Sequence, residues 1–303
     1  MTEVVGRFAP SPTGQLHLGN LRTAMLAWLF ARSESGGFLM RVEDLDPGRS
    51  HREIGLQQLR DLALLGLDWD GPIVRQSERR AMYRQAIEQL EAAGYIYRCY
   101  CTRREIAEST TAPHGPGGVP YPGTCRHLSK AETAAKRGEG RPAALRVRAS
   151  GQMQFNDLLH GPISGELDDF VVRRNDGAPA YNLAVVVDDA AQNVTQVVRG
   201  DDLLPTTHRQ VWLAQTLGVS VPGYVHVPLV HGPSNERLAK RDGATSLSDR
   251  IARGQSPDEV RSWLAESLGL ATAGEQVSMG NLLGRFDPAT VPRDPWIISG
   301  ADL

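Results

Sequence analysis

Arg7-Phe8-Ala9-Pro10-Ser11-Pro12-Thr13-Gly14-Gln15-Leu16-His17-Leu18-Gly19-Asn20 overlaps a short apolar run at 4–8 and leads into a stretch, 18–31, whose apolar spacing predicts a helix. A strand, a Pro/Gly/Ser loop and a helix in that order leave free backbone N–H groups and a positive helix end at the loop, with an imidazole and an amide beside them. Such a loop suits an anion, and Gly19 lets a flat base come close to the backbone. A Pro/Gly loop with one histidine is commonly just a turn. Fourteen residues in this setting point instead to a nucleotide site.

Working outward, 38–42 reads as a second strand, 51–65 and 78–93 as helices, and 95–100 as a strand. Strands alternating with helices predict an α/β fold with a parallel sheet. Between 99 and 179 the pattern changes to short strands, 145–148 and 169–173, around a Gly/Pro-rich run at 113–123, which reads as an insertion. The α/β pattern resumes with strands at 181–187 and 195–199, a helix at 204–217 and a strand at 225–230, and a helical pattern follows at 257–268. The expected divisions are 1–98 and 180–235 for two halves of one catalytic domain, 99–179 for the insertion and 236–303 for a short helical end.

With 41% apolar and 22% charged residues in 303, the chain can bury a full core. A net charge of −2 argues against holding nucleic acid by bulk charge but leaves room for a local basic face. No basic leader and no apolar window near ~18 residues is present, so a cytoplasmic protein with no membrane contact is expected. Cys99, Cys101 and Cys125 are too few and too clustered for a disulfide framework and suit a tetrahedral structural zinc site. Tyr121 or His127 would supply the fourth donor, histidine being the commoner in general.

The first loop resembles the signature of the glutamyl branch of class I aminoacyl-tRNA synthetases. Three further segments are similar to that branch: Arg41-Val42-Glu43-Asp44-Leu45-Asp46-Pro47-Gly48-Arg49-Ser50, Tyr181-Asn182-Leu183-Ala184-Val185-Val186-Val187-Asp188-Asp189, and Val198-Arg199-Gly200-Asp201-Asp202. The resemblance implies a Rossmann-type catalytic domain in which His17, Gly19 and Asn20 face ATP and its Mg2+. Arg7, Ser11, Glu43, Tyr181 and Arg199 would face L-glutamate. The chemistry agrees, because a guanidinium pairs with a carboxylate through two bonds while Glu43 suits the ammonium. Asp44, Asp46 and Asp61 read as a solvated face or helix caps. His208, Arg209 and Gln210 open a helix beside the site, where packing explains them equally well.

Glu236-Arg237-Leu238-Ala239-Lys240-Arg241 resembles the KMSKS loop, with Ala239 and Arg241 departing from its usual residues. Lys240 is one of three lysines among 33 basic residues, which singles it out as the candidate that neutralises charge as pyrophosphate leaves. The Cys-x-Cys, Tyr-x-x-x-Cys arrangement is similar to that of glutamyl-queuosine tRNA(Asp) synthetases, which implies Tyr121 as the fourth zinc ligand. It also implies transfer of activated glutamate, with or without tRNA assistance at the activation step, to queuosine in the anticodon arm of tRNA(Asp). A monomer without an anticodon-binding domain is expected. The alternatives are a truncated glutamyl-tRNA synthetase charging tRNA(Glu), a nucleotidyltransferase of the same superfold acting on a small acid, and an inactive RNA-binding paralogue.

Overall fold

The computed structural model describes residues 3–108, 121–236, 238 and 245–299. Lys240 and most of the Gly/Pro-rich run lie outside them.

The first half builds β1 (Val5–Phe8), α1 (Leu18–Ser33), β2 (Gly37–Val42), α2 (Arg52–Leu64), β3 (Val74–Arg75) and α3 (Arg80–Ala92). β1, β2 and β3 pair in parallel in that order. α1 is apolar on nearly every face and is buried from Leu18 to Ala31 except at Asn20 and Thr23, because it lies between this sheet and the C-terminal helices.

Next come β4 (Ile96–Cys99), α4 (Arg103–Glu108), α5 (Lys130–Gly138), β5 (Ala144–Val147), β6 (Gln152–Asp157), β7 (Gly161–Glu166) and β8 (Val171–Arg173). β4, β5 and β8 form an antiparallel sheet of their own. The β6–β7 hairpin behaves differently: β6 pairs in parallel with β10 (Gly223–Val227), which pairs with β9 (Gln196–Gly200). The stretch that reads as an insertion thus contributes two strands to the second sheet, whose order is β7-β6-β10-β9.

Residues 181–187, expected to be a strand, are instead the first part of α6 (Tyr181–Ala191). Leu183, Ala184, Val185 and Val186 are all buried, so the apolar run is continuous and loses the periodicity that distinguishes a helix from a buried strand. A 3₁₀ segment at Asp201–Thr206 leads into α7 (Thr207–Leu217), and β11 (Val230–His231), α8 (Leu247–Ala252), α9 (Pro257–Glu266), α10 (Met279–Arg285) and β12 (Trp296–Ile297) complete the fold. Among the described residues no helix is long and apolar enough to cross a membrane.

The first, parallel sheet and the second, mixed one meet where Thr195 N–H donates to the Val5 carbonyl at 2.9 Å and Arg7 Nη1 donates to the Val198 carbonyl at 3.3 Å. From β1 the chain winds one way to β2 and β3, then crosses to β9 and β10 on the other side. A crevice opens beyond the carboxyl ends of strands at such a switch point, between β1 and β9.

Candidate active site

That crevice is a cavity of about 530 Å³ whose wall includes Ser11, His17, Asn20, Glu43, Tyr181 and Arg199. Six residues spread over 189 positions of sequence therefore face one space. Arg7 lies behind the wall, 4% exposed, where Asp189 Oδ1 accepts from its Nε at 3.4 Å.

The loop after β1 is pinned by a residue with no sequence signal of its own. Gln58 on α2 donates from Nε2 to the carbonyls of Ser11 at 3.0 Å and Gly14 at 2.7 Å. His17 then caps α1: its Nδ1 accepts from Asn20 N–H at 3.3 Å, and the Asn20 side-chain oxygen accepts from His17 N–H at 3.2 Å. In the neutral ring the proton therefore sits on Nε2. A Cβ on Gly19 would meet His17 Cε1 at 3.0 Å, Nδ1 at 3.1 Å and Val230 Cβ at 3.3 Å. Gly19→Ala is accordingly expected to tilt the imidazole and raise the KM for ATP about tenfold, with the glutamate KM little changed, in ATP–pyrophosphate exchange.

Beneath the cavity lies a network of buried charges. Arg41, 0% exposed, donates from Nη1 to Asp189 Oδ1 at 2.7 Å and to Gln192 Oε1 at 2.9 Å, and from Nη2 to Glu43 Oε1 at 3.4 Å. Asp188 gathers Gln76 at 2.8 Å, Tyr83 at 2.8 Å and Arg79 at 2.6 Å. Arg41, Asp188 and Asp189 have no role in the reading of the sequence, yet charges inside apolar runs are themselves a signal, since a buried charge requires a partner. Burial pushes the Glu43 carboxyl above the ordinary range, only partly offset by Arg41 and Arg7.

Arg199 is buried and held at three points. Its Nε donates to His226 Nε2 at 3.1 Å, Nη1 to Gln210 Oε1 at 2.9 Å and Nη2 to Thr207 Oγ1 at 2.7 Å, with the Tyr181 hydroxyl 3.5 Å from Nη1. Gln210 thus has a specific task in this site. Of the aspartates expected at the surface, Asp44 accepts from Ser77 N–H at 2.8 Å at the head of a 3₁₀ turn and Asp46 pairs with Arg49 and Arg174. Asp61 departs from that expectation: it is 1% exposed, with Gln57 Nε2 at 2.8 Å from one oxygen, because α2 turns that face inward.

Leu238 N–H donates to the Val230 carbonyl at 3.1 Å, and Ser246 bridges His17 while Leu18 N–H donates to the Thr245 carbonyl at 3.2 Å. The described residues on either side of the Lys240 segment are therefore anchored beside the cavity.

Away from this site, the sulfurs of Cys99, Cys101 and Cys125 lie within 4.8 Å of one another. The Tyr121 hydroxyl is 3.3 Å from Cys99 Sγ and 3.7 Å from Cys101 Sγ, and it accepts from Cys125 N–H at 2.8 Å. His127 is exposed and takes no part in the cluster. Tetrahedral bonds of about 2.3 Å give edges of about 3.8 Å, so three sulfurs and one phenol oxygen at these separations suit a borderline-soft divalent ion.

Residues 3–277 match the family described as tRNA synthetases class I (E and Q), catalytic domain. A glutamyl-Q tRNA(Asp) synthetase from Nocardia farcinica is 58% identical over 302 residues, covering 98% of this chain and 94% of the relative. The protein of the same name from Symbiobacterium thermophilum is 47% identical, covering 96% of this chain and 94% of its own length. Among solved structures, a glutamate tRNA ligase from Elizabethkingia meningosepticum, in complex with its amino acid, is similar at a TM-score of 0.82 and 29% identity, over 99% of this chain and 68% of that one.

Proposed function

The chain belongs to the class I tRNA synthetases (E and Q), and we propose that it activates L-glutamate with ATP and transfers the glutamyl group to queuosine at the wobble position of tRNA(Asp), as a cytoplasmic monomer. The observation that carries this reading is the convergence of Glu43, Tyr181 and Arg199 with the capped start of α1 on one cavity. An acid and a guanidinium there suit an amino acid, and the helix end suits a phosphate. The choice of queuosine over a tRNA terminus follows the relatives of that name, which align over 94% of their own length.

In the first step an oxygen of the glutamate α-carboxylate attacks the α-phosphorus of Mg-ATP, and the bond to pyrophosphate breaks. Glu43 holds the ammonium, while Arg199, Tyr181 and Ser11 hold the carboxylates and Arg7, behind the wall, adds positive charge to that side of the site. The His17 Nε2–H, the Asn20 amide and the backbone at Gly19 take the phosphates, and Lys240 neutralises the departing pyrophosphate. In the second step a ring hydroxyl of queuosine attacks the glutamyl carbonyl, AMP leaves and the hydroxyl proton passes to solvent.

Cys99, Cys101, Tyr121 and Cys125 would hold one structural zinc that ties β4 to the segment before α5. About one zinc per chain is expected, lost in a Cys99→Ala, Cys101→Ala double variant together with thermal stability, as read by metal analysis and melting. Full stability in a metal-free native protein would refute this assignment.

The function is tested by supplying labelled glutamate and Mg-ATP to tRNA(Asp) with and without queuosine, beside tRNA(Glu). Label on queuosine-bearing tRNA(Asp) alone is the expected result. Label at the terminal adenosine of tRNA(Glu) would make the protein a charging enzyme, and absence of exchange with tRNA present would mark an inactive relative.

A further inference from the structure

Asp157 ends β6 and is wholly buried, yet it touches no part of the reaction described above. It receives four N–H groups: the backbone of Leu159 and of His160 on Oδ1, each at 3.0 Å, and the backbone and ring Nδ1 of His226 on Oδ2, at 3.0 and 2.7 Å. A carboxylate offers only lone pairs, so the proton of the neutral ring must sit on Nδ1. Nε2 then presents a lone pair, and this is the atom that accepts the Arg199 Nε–H at 3.1 Å.

We propose that Asp157 and His226 are positioning residues which, by fixing one imidazole tautomer, aim the Arg199 guanidinium into the glutamate site. The relay crosses three neighbouring strands: Asp157 on β6 is in register with Tyr224 on β10, and His226 on β10 is in register with Arg199 on β9. The ring is wedged against Tyr224, stacked at 5.9 Å, and Phe155 at 6.4 Å, so its plane is set by packing as well as by hydrogen bonds. Burial pushes the imidazole pKa down, which keeps the ring neutral and Nε2 an acceptor. His226, Gln210 and Thr207 take three of its five N–H groups and the Tyr181 hydroxyl accepts a fourth at 3.5 Å from Nη1, so Arg199 keeps one N–H, on Nη2, for a ligand carboxylate.

The inference rests on Arg199 contacting glutamate, and the test separates the two claims. Asp157→Asn keeps the volume but places an amide N–H where the carboxylate oxygen was. The ring then moves its proton to Nε2, which lies 3.0 Å from Thr207 Oγ1 as well as 3.1 Å from Arg199 Nε, so the Arg199 Nε–H loses its acceptor. The expected result, in ATP–pyrophosphate exchange with tRNA(Asp) present, is a KM for glutamate raised about 10- to 100-fold with the KM for ATP within twofold. His226→Gln retains a side-chain oxygen able to accept from Arg199 and has no tautomer to choose, so adding Asp157→Asn to it should change the glutamate KM little.

Nitrogen NMR of the native protein, with His226 assigned by its loss in His226→Gln, should show the proton on Nδ1. A native proton on Nε2, or an unchanged glutamate KM in a folded Asp157→Asn protein, would overturn the inference. Should Asp157→Asn fail to fold, His226→Gln against His226→Leu decides: only the leucine variant should raise the glutamate KM, and equal effects would overturn it. Absence of glutamate-dependent exchange in the native protein would remove the proposed function alone, leaving the tautomer to be read by NMR.

Discussion

Asp189→Ala is expected to lower stability by about 3 kcal/mol and to abolish glutamate-dependent exchange. The reason is what it leaves behind. Arg41 is 0% exposed and its shortest ion pair, 2.7 Å, is with Asp189, which also takes the Arg7 Nε at 3.4 Å. Removing one carboxylate leaves two buried guanidiniums with weaker company: Glu43 at 3.4 Å and Asp188 at 3.9 Å from Arg41, and a carbonyl for Arg7. Those residual contacts place the loss at the lower end of the usual ~3–5 kcal/mol for breaking a buried pair. Asp189→Asn, which keeps an acceptor oxygen, should lose less. Urea denaturation of both variants checks this, and an alanine variant within about 1 kcal/mol of the native protein would show that Arg41 is compensated elsewhere.

The same residue carries a pH dependence of known sign. Burial works to raise the Asp189 carboxyl, but Arg41 and Arg7 outweigh it and hold the group below its ordinary range. Its contribution to stability is therefore complete above the unfolded carboxylate pKa, about 4, and is lost as pH falls through the lower native value. Glu43 is held above its ordinary range, so it acts with the opposite sign: its ionised form costs stability, and that cost disappears as pH falls through the raised value.

Glu43 also leads to the second large effect. Glu43→Gln is expected to raise the KM for glutamate about 100-fold while leaving the ATP KM nearly unchanged, because it removes the carboxylate on the cavity wall that is proposed to meet the substrate ammonium. Because the carboxyl is raised, binding by the native enzyme should weaken on acidification at a pH above the ~4.3 at which an ordinary glutamate protonates. A plot of glutamate KM against pH should therefore rise toward acid for the native protein and stay flat for Glu43→Gln. A native profile as flat as the variant's would remove Glu43 from ammonium binding.

The legible parts of this protein are those written in short stretches of chain. The opening strand, loop and helix and the clustering of three cysteines depend on neighbours a few residues apart, and their residue types announce them, whereas the capping of α1 by His17 and Asn20 came only with the structure. The joint occurrence of Arg7, Glu43, Tyr181 and Arg199 was enough to expect one amino-acid site. Local pattern failed at 181–187, where burial of most faces of α6 erased the helical period. It was also silent on Gln58, whose role depends on carbonyls 44 and 47 residues away.

Two choices needed the folded chain. Tyr121 and His127 flank Cys125 almost equally in sequence, where only the family resemblance favours Tyr121; the fold is what sets the phenol against the sulfurs and leaves the imidazole exposed. Arg41 and Asp189 are 148 residues apart, Arg7 and Asp189 182, and Asp157 and His226 69. No local propensity encodes such pairings: they exist because β1, β2, α6 and the β6–β7 hairpin are brought side by side, and a charge removed from water must find its partner wherever the fold has placed it.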